Sequence, residues 1–368
     1  MIDMATDQPY QPNLWRTPMS TDIQTVVDRS EQVLKGENLP ERTLKFHSYA
    51  VTNFRGGIGK STLSFNLAYE TSVTHPTLLL DTCSQRNLTQ NLLGDQIKDY
   101  KKTLYDALIV EMTNAGNVPI DDILANVKLH CSSFQGNLPT YVIPGSSELF
   151  LFPSLLYSQL AQYAQLGAEF QTDASARTLL SLKRIVEKAS VMVKPEKILI
   201  DTSPFFGGAT HLAWTAAEAL IIPVRVDEFS IEALRLTLEM LRKKNMDFLR
   251  FNAQAGLTAV PRVHAIAMTH CGWNRQKKNT PDSSTKFFVQ QAIAVAKEFA
   301  ELFSEPNITD CFYLLDDFHS SGRISGKQRI PLSKLESGKK YIIDGQRLEV
   351  NPSVDRYKRE IQNLTAAL

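Results

Sequence analysis

A lysine and a serine directly after a run of glycines are what a chain needs to hold a polyanion. The stretch Phe54-Arg55-Gly56-Gly57-Ile58-Gly59-Lys60-Ser61-Thr62 has that arrangement. Glycines let backbone N–H groups turn inward around an anion, and the N-terminus of a following helix adds about half a positive charge. Lys60 would reach the outer phosphates of a nucleotide, and the Ser61 hydroxyl would hold Mg²⁺.

Such a loop works only between a strand and a helix. Lys45 to Asn53 reads as the strand. Leu63 to Glu70 reads as the helix, with apolar residues at helical spacing. The ordinary phosphate-loop pattern wants Gly six residues before the Lys, where this chain has Phe54. The pattern that does fit is K-G-G-x-G-K-[S/T]-T, the deviant loop of the ParA/MinD ATPases. The stretch resembles that family, closest to its ParA-like partition ATPases, with Arg55 in place of the family's first Lys. The bland alternative is a Gly-rich turn with an incidental Lys.

Further motifs fall where the family has them. Thr77-Leu78-Leu79-Leu80-Asp81 reads as a strand, running on through Thr82-Cys83-Ser84-Gln85-Arg86-Asn87-Leu88-Thr89. The family pattern there is D-x-D-P-Q-G-N-x-T. Asp81, Gln85, Asn87 and Thr89 match it, whereas Cys83, Ser84 and Arg86 depart. The resemblance implies a carboxylate at position 83 that organises the attacking water. A neutral thiol is a poor substitute. Either turnover is slow, or Asp81 or a group outside the motif takes over. Lys197 to Asp201 is a strand ending in the Walker B position, with Asp201 expected to hold Mg²⁺ through water opposite Ser61. Ala219 to Val224, continuing to Asp227 and Leu234, resembles the family's I-P-V-x-x-E-x-x-x-L-E-x-L run.

The resemblance thus implies a nucleotide site of Gly56, Gly57, Ile58, Gly59, Lys60, Ser61, Thr62 and Thr269. Arg55, Lys60 and Asp81 would be catalytic, and Ser61 and Asp201 the metal ligands. Arg55 would cross a dimer interface to the partner's phosphates, or else face solvent. Thr269 ends the buried strand Arg262–Thr269, and by loose resemblance His270 to Asn274 would face the base. His270 itself has no partner ligands at metal spacing.

The chain has 368 residues, a formal net charge of +1 and 43% hydrophobic content. That suits a globular protein with a sizeable core, long for one α/β domain and short for two large ones. Overall charge is silent on nucleic acid, so a DNA site must be a local patch. The four cysteines, Cys83, Cys131, Cys271 and Cys311, show no CxxC or metal spacing, which suits a reducing cytoplasm and speaks against an iron–sulfur relative. No signal peptide and no long uncharged apolar run is seen, so we expect a cytoplasmic protein, with the nucleoid as an alternative address.

We expect an α/β fold, a doubly wound, mostly parallel sheet of the P-loop NTPase kind, with a short N-terminal helical extension. Residues 1–43 would form that extension, with Pro9, Pro12 and Pro18 at its start and a helix from Ser20 to about Lys35. Residues 44–335 would form the ATPase domain, and residues 336–368 a hairpin turning at Asp344-Gly345 plus a C-terminal helix. Helices are also expected near Leu104–Leu108, Ile120–Leu124, Leu155–Ala168 and Arg177–Ala189, and a strand and turn at Thr140–Ser146. MinD-like proteins anchor to membranes through a terminal amphipathic helix. Pro352–Leu368 is too weakly apolar and basic for that and is expected to pack.

By resemblance, the protein would bind ATP and Mg²⁺ as a sandwich homodimer, bind DNA nonspecifically and position DNA or protein cargo with a ParB-like or other partner. Basic clusters at Arg242-Lys243-Lys244, Arg275 with Lys277-Lys278, and Arg323 to Arg329 are the candidate DNA contacts, each also readable as a solvated face. The alternatives are an ATP-dependent dimerisation switch with little turnover and a MinD-like membrane-associated ATPase.

Overall fold

A computed structural model describes residues 21–37, 44–274 and 279–368. The expected prolines of the N-terminal segment, Ser20 and the cluster at Arg275 lie outside the described residues. In chain order the elements are α1 (Thr21–Lys35), β1 (Ser48–Val51), α2 (Lys60–Thr74), β2 (Thr77–Asp81), α3 (Asn87–Leu93), α4 (Leu104–Thr113), β3 (Ala125–Asn126), α5 (Val127–His130) and β4 (Thr140–Ile143). Next come α6 (Phe152–Tyr163), α7 (Ala168–Leu179), α8 (Ser181–Val193), β5 (Lys197–Asp201), α9 (Gly208–Ala216), β6 (Ala219–Arg225), α10 (Glu228–Arg242), α11 (Asp247–Gln254) and β7 (Arg262–Cys271). The last are α12 (Ser283–Lys297), β8 (Phe312–Asp316), α13 (His319–Gln328), β9 (Lys340–Ile343), β10 (Gln346–Glu349) and α14 (Val354–Ala366).

Eight strands form one sheet in the order β3-β4-β2-β5-β1-β6-β7-β8, parallel throughout except for the edge strand β3. The central strands are short, β-branched or leucine-rich runs buried along their length, as a sheet covered on both faces demands. Their side chains alternate between two cores. Leu78, Leu80, Ile198 and Ile200 face the layer of α1, α4 and α6–α12. Leu79 and Leu199 face the layer of α2, α3, α13 and α14. This is the doubly wound architecture expected from the sequence. Pro223, which lacks an N–H, is tolerated within β6 because β1 pairs with β6 only as far as Ile221.

α1 buries Ile23, Val26, Val27 and Leu34. α14 buries Val354, Tyr357, Ile361 and Leu364 against the α2 layer, so its apolar face is covered by the fold. Among the described residues no helix is long and apolar enough to cross a membrane. Three helix expectations need correction. Ile120–Asp122 is a single 3₁₀ turn. The helix expected over Leu155–Ala168 stops at Tyr163, and Gly167 precedes α7 in extended conformation. The helix expected from Arg177 is the end of α7 followed, after Leu180, by α8.

Candidate nucleotide site

The loop between β1 and α2 is pinned at its start by Asn53. This fully buried side chain donates to the Pro223 carbonyl at 2.7 Å and accepts from the Arg55 amide at 2.9 Å. Gly57 and Gly59 take φ of 72° and 85°, the left-handed region that favours glycine. Gly59 leads directly into α2, and its carbonyl accepts the Leu63 amide at 2.8 Å. Ile58 between them is buried, and its carbonyl accepts from the Thr269 hydroxyl at 3.4 Å. Thr269 therefore braces the loop from β7 and is not among the residues lining the cavity. His270 beside it takes a positive φ of 57°, and burial lowers its pKa.

Lys60 is 7% exposed and folds back over its own loop. Its Nζ donates to the carbonyls of Arg55 at 2.7 Å and Asn53 at 3.1 Å. Burial lowers its pKa to about 8, against the opposing pull of Asp201. It therefore remains largely an ammonium at neutral pH.

Asp81 and Asp201 end the paired strands β2 and β5 and are register partners. Both are fully buried. Asp81 Oδ1 accepts the Cys83 amide at 3.0 Å, and Oδ2 accepts the Thr89 amide at 2.9 Å and the Thr89 hydroxyl at 2.7 Å. Those bonds turn the chain from β2 into α3, so the expected catalytic Asp81 sits as the anchor of a loop. Asp201 instead accepts hydroxyls: Ser61 Oγ on Oδ2 at 2.8 Å and Ser64 Oγ on Oδ1 at 2.7 Å. Burial, then the charge of Asp81, raises the Asp201 pKa to about 7.

Ser61, Ser64 and Asp201 offer hard oxygen donors that fit Mg²⁺, an ion that usually binds proteins through one or two carboxylates and keeps several waters. That no three His, Cys, Asp or Glu side chains converge among the described residues is compatible with this mode. Ser64 was not among the residues expected from sequence. Its signal was present, because a serine three residues after Ser61 shares the same face of a helix.

Cys83 is buried, and its thiol pKa is raised, first by burial and then by Asp81. Arg55 is held within its own chain. Its guanidinium donates to the Asp227 carboxylate and, at 2.8 Å, to Ser230 Oγ, with Phe229 beneath it at 5.6 Å. Asp227 is also the N-cap of α10, accepting the Ser230 amide at 3.0 Å.

Gly56, Gly57, Gly59, Lys60, Ser61 and Thr62 line a cavity of about 650 Å³. Its other walls include Cys83, α3, Thr202 and Pro204 after β5 and, unforeseen from sequence, α13 with Gly322, Arg323, Gly326 and Lys327, followed by Arg329. The basic cluster Arg323–Arg329 thus borders this cavity, with Arg323 and Lys327 also open to solvent. Arg323 and Lys327 meet Asp344 at 3.0 and 3.5 Å, and Arg329 donates to the carbonyls of Asn91, Leu92 and His130. The cluster at Arg242 is also engaged. Arg242 donates to the Glu298 carbonyl at 2.6 Å, and Lys243 pairs with Glu239 at 2.7 Å.

Residues 47–250 match the AAA domain family. Sporulation initiation inhibitor protein Soj of Bacillus subtilis is 29% identical over 194 residues, 52% of this chain and 64% of that protein. The chromosome-partitioning ATPase Soj of Treponema pallidum is 30% identical over 219 residues, 59% of this chain and 68% of that protein. The chain spans a little over three fifths of the length of the first curated relatives it matches. Among solved structures, an ATP complex of a Cyanothece McdA variant superposes with a TM-score of 0.58 at 18% identity, covering 88% of this chain and 96% of that one. That likeness supports the fold. With more than half of its length in the matched domain, and with these relatives, the chain belongs to the ParA/MinD-type P-loop ATPase family, on its partition-ATPase side.

Proposed function

We propose that this protein binds MgATP in the cavity beside the glycine loop, forms a nucleotide-dependent homodimer and hydrolyses ATP slowly. The observation that carries the reading is the convergence of Lys60, Ser61 and Asp201, with Ser61 Oγ 2.8 Å from Asp201 Oδ2. Lys60 now shares its ammonium between two neutral carbonyls. Phosphate is a stronger, charged acceptor, so the side chain would exchange those bonds for phosphate oxygens. The Ser61 hydroxyl can rotate its hydrogen away from Asp201 and turn a lone pair toward the site, and the two would then hold the metal. Mg²⁺ bound there would neutralise charge on the phosphates.

Arg55 would leave Asp227 to reach the phosphates of the second protomer. Its side chain and that of Asp227 are 29% and 27% exposed, so the pair is reachable from solvent, and phosphate, a stronger acceptor, would replace the carboxylate and Ser230. A buried thiol with a raised pKa stays protonated at neutral pH and can offer the attacking water only a weak hydrogen bond. That favours slow turnover. It also supports a second reading, a dimerisation switch that barely hydrolyses. Nonspecific DNA binding and positioning of DNA or protein cargo, with a ParB-like or other partner, are proposed from the partitioning roles in the relatives' names.

The test is MgATP turnover with and without DNA. Wild type should turn over slowly and Lys60→Ala not at all. DNA binding should require ATP and weaken steeply with salt. Turnover that survives Lys60→Ala unchanged would remove the reading.

A further inference from the structure

α13 carries glycines at 322 and 326, one turn apart, which weakens any helix. Packing does not ask for the second. A Cβ built on Gly326 comes no closer than 3.9 Å to its nearest neighbour, Asn91 Oδ1, an ordinary contact. The missing side chain instead leaves bare a wall of the cavity that Lys60 and Ser61 also line. On that wall stand Arg323 and Lys327, and Arg329 lines the cavity just past the end of the helix.

Arg323 and Lys327 have the same partner. Asp344 Oδ2 lies 3.0 Å from Arg323 and Oδ1 lies 3.5 Å from Lys327, while Arg323 also donates to Gln346 Oε1 at 3.3 Å. Asp344 occupies the turn between β9 and β10, which pair only with each other among the described strands. A lone two-stranded hairpin is marginal by itself, so its place depends on what it docks against. The three charged side chains are 45%, 60% and 52% exposed, which makes the contact weak and easily exchanged. Arg329, with its guanidinium engaged by backbone carbonyls, is by contrast scaffold.

We propose that Arg323 and Lys327 contact the anionic part of the bound nucleotide, and that Asp344 on the hairpin competes with the nucleotide for them. The inference rests on the reading of the cavity as a nucleotide site. A phosphate group offers the arginine fork the same two-oxygen geometry as a carboxylate, with more charge. Nucleotide entry therefore draws both cations toward the cavity and frees the Asp344 turn, while buried Ile343 and the Ser320 bond to the Glu349 carbonyl keep the rest of the hairpin on the fold.

Calorimetric titration of the full chain with MgATP tests this. Arg323→Gln with Lys327→Gln should raise the Kd about tenfold and flatten its salt dependence, whereas Asp344→Asn should lower the Kd several-fold. Hydrogen exchange at the turn around Asp344 should quicken when MgATP binds to wild type. All three positions are exposed, so the variants should fold, and Lys327→Arg should keep wild-type affinity. If wild type binds MgATP and Lys60→Ala does not, yet the glutamine variant binds like wild type, this inference fails alone. It fails equally if Asp344→Asn weakens binding or leaves it unchanged. If wild type binds no MgATP, the nucleotide reading fails and this inference with it.

Discussion

Asp81 and Asp201 occupy equivalent places: each ends a buried strand, and the two are register partners across β2 and β5. They differ in what they accept. Asp81 takes two backbone amides and the Thr89 hydroxyl from the loop it anchors. Asp201 takes two hydroxyls from the first turn of α2. An amide can only donate, so the bonds to Asp81 cannot be redirected without undoing the loop. A hydroxyl can rotate and present a lone pair, so the bonds to Asp201 can be traded for a cation. The same residue type in the same register becomes scaffold in one strand and a metal-ready group in the next.

The sharpest way to break this contrast is to remove each carboxylate. Asp81→Ala leaves buried donors of Cys83 and Thr89 without an acceptor and should cost roughly 3–5 kcal/mol in urea unfolding. Asp201→Asn keeps an acceptor for the serines and removes a like charge beside Asp81. Its stability should not fall, and should rise at and above neutral pH, where burial and Asp81 penalise the ionised wild-type carboxylate. Its affinity for MgATP should fall to that of metal-free ATP. Equal stability losses in the two variants would erase the distinction.

A second expectation separates the carboxylates from acid sensitivity. Burial raises the pKa of both, so their protonation suits the fold, and any stability they confer is greatest in acid and lost as pH rises. His211 works the other way. It is fully buried among Phe206, Phe248 and Phe251, with Asn252 as hydrogen-bond partner at 2.9 Å, and burial lowers its pKa to about 4. The unfolded chain binds a proton near pH 6.5 that the fold refuses. Stability is therefore full above that pH and falls by about 3 kcal/mol as pH drops to 4. Unfolding curves of wild type and His211→Gln should show this slope in the first and its loss in the second.

The chain order made some of this legible and hid the rest. Lys60 and Ser61 were readable because their roles depend on spacing within nine residues, and Asp201 because it closes an apolar run. Ser64 follows Ser61 at helical spacing, yet only the position of Asp201 between the two hydroxyls gives that spacing a meaning. Asp227 falls at the acidic position of the run that follows β6, but it lies 172 residues from Arg55, and nothing local shows that it holds that guanidinium. α13 was missed because its sequence, His319 to Gln328, is polar and glycine-bearing and has no strong apolar stripe. Its basic residues looked like a surface cluster until the fold laid them beside the cavity. The helix breaks at Gly167 and Leu180 were hidden by continuous helix-forming residues on either side.

A smaller effect would sharpen the comparison at the position between the two acids. Cys83→Asp should speed single-turnover hydrolysis about tenfold by giving the water a charged acceptor. It should also cost stability, because a third carboxylate enters a buried site beside Asp81 and Asp201. No gain in rate would mean that another group positions the water.

The most direct test of nucleotide-driven dimerisation is sedimentation velocity of the wild-type chain without nucleotide, with MgATP and with MgADP, beside Lys60→Ala. The expected result is monomer without nucleotide, dimer in MgATP, and a Lys60→Ala variant that stays monomeric throughout. A wild-type protein that binds MgATP but remains monomeric, or a Lys60→Ala variant that dimerises as readily, would contradict it.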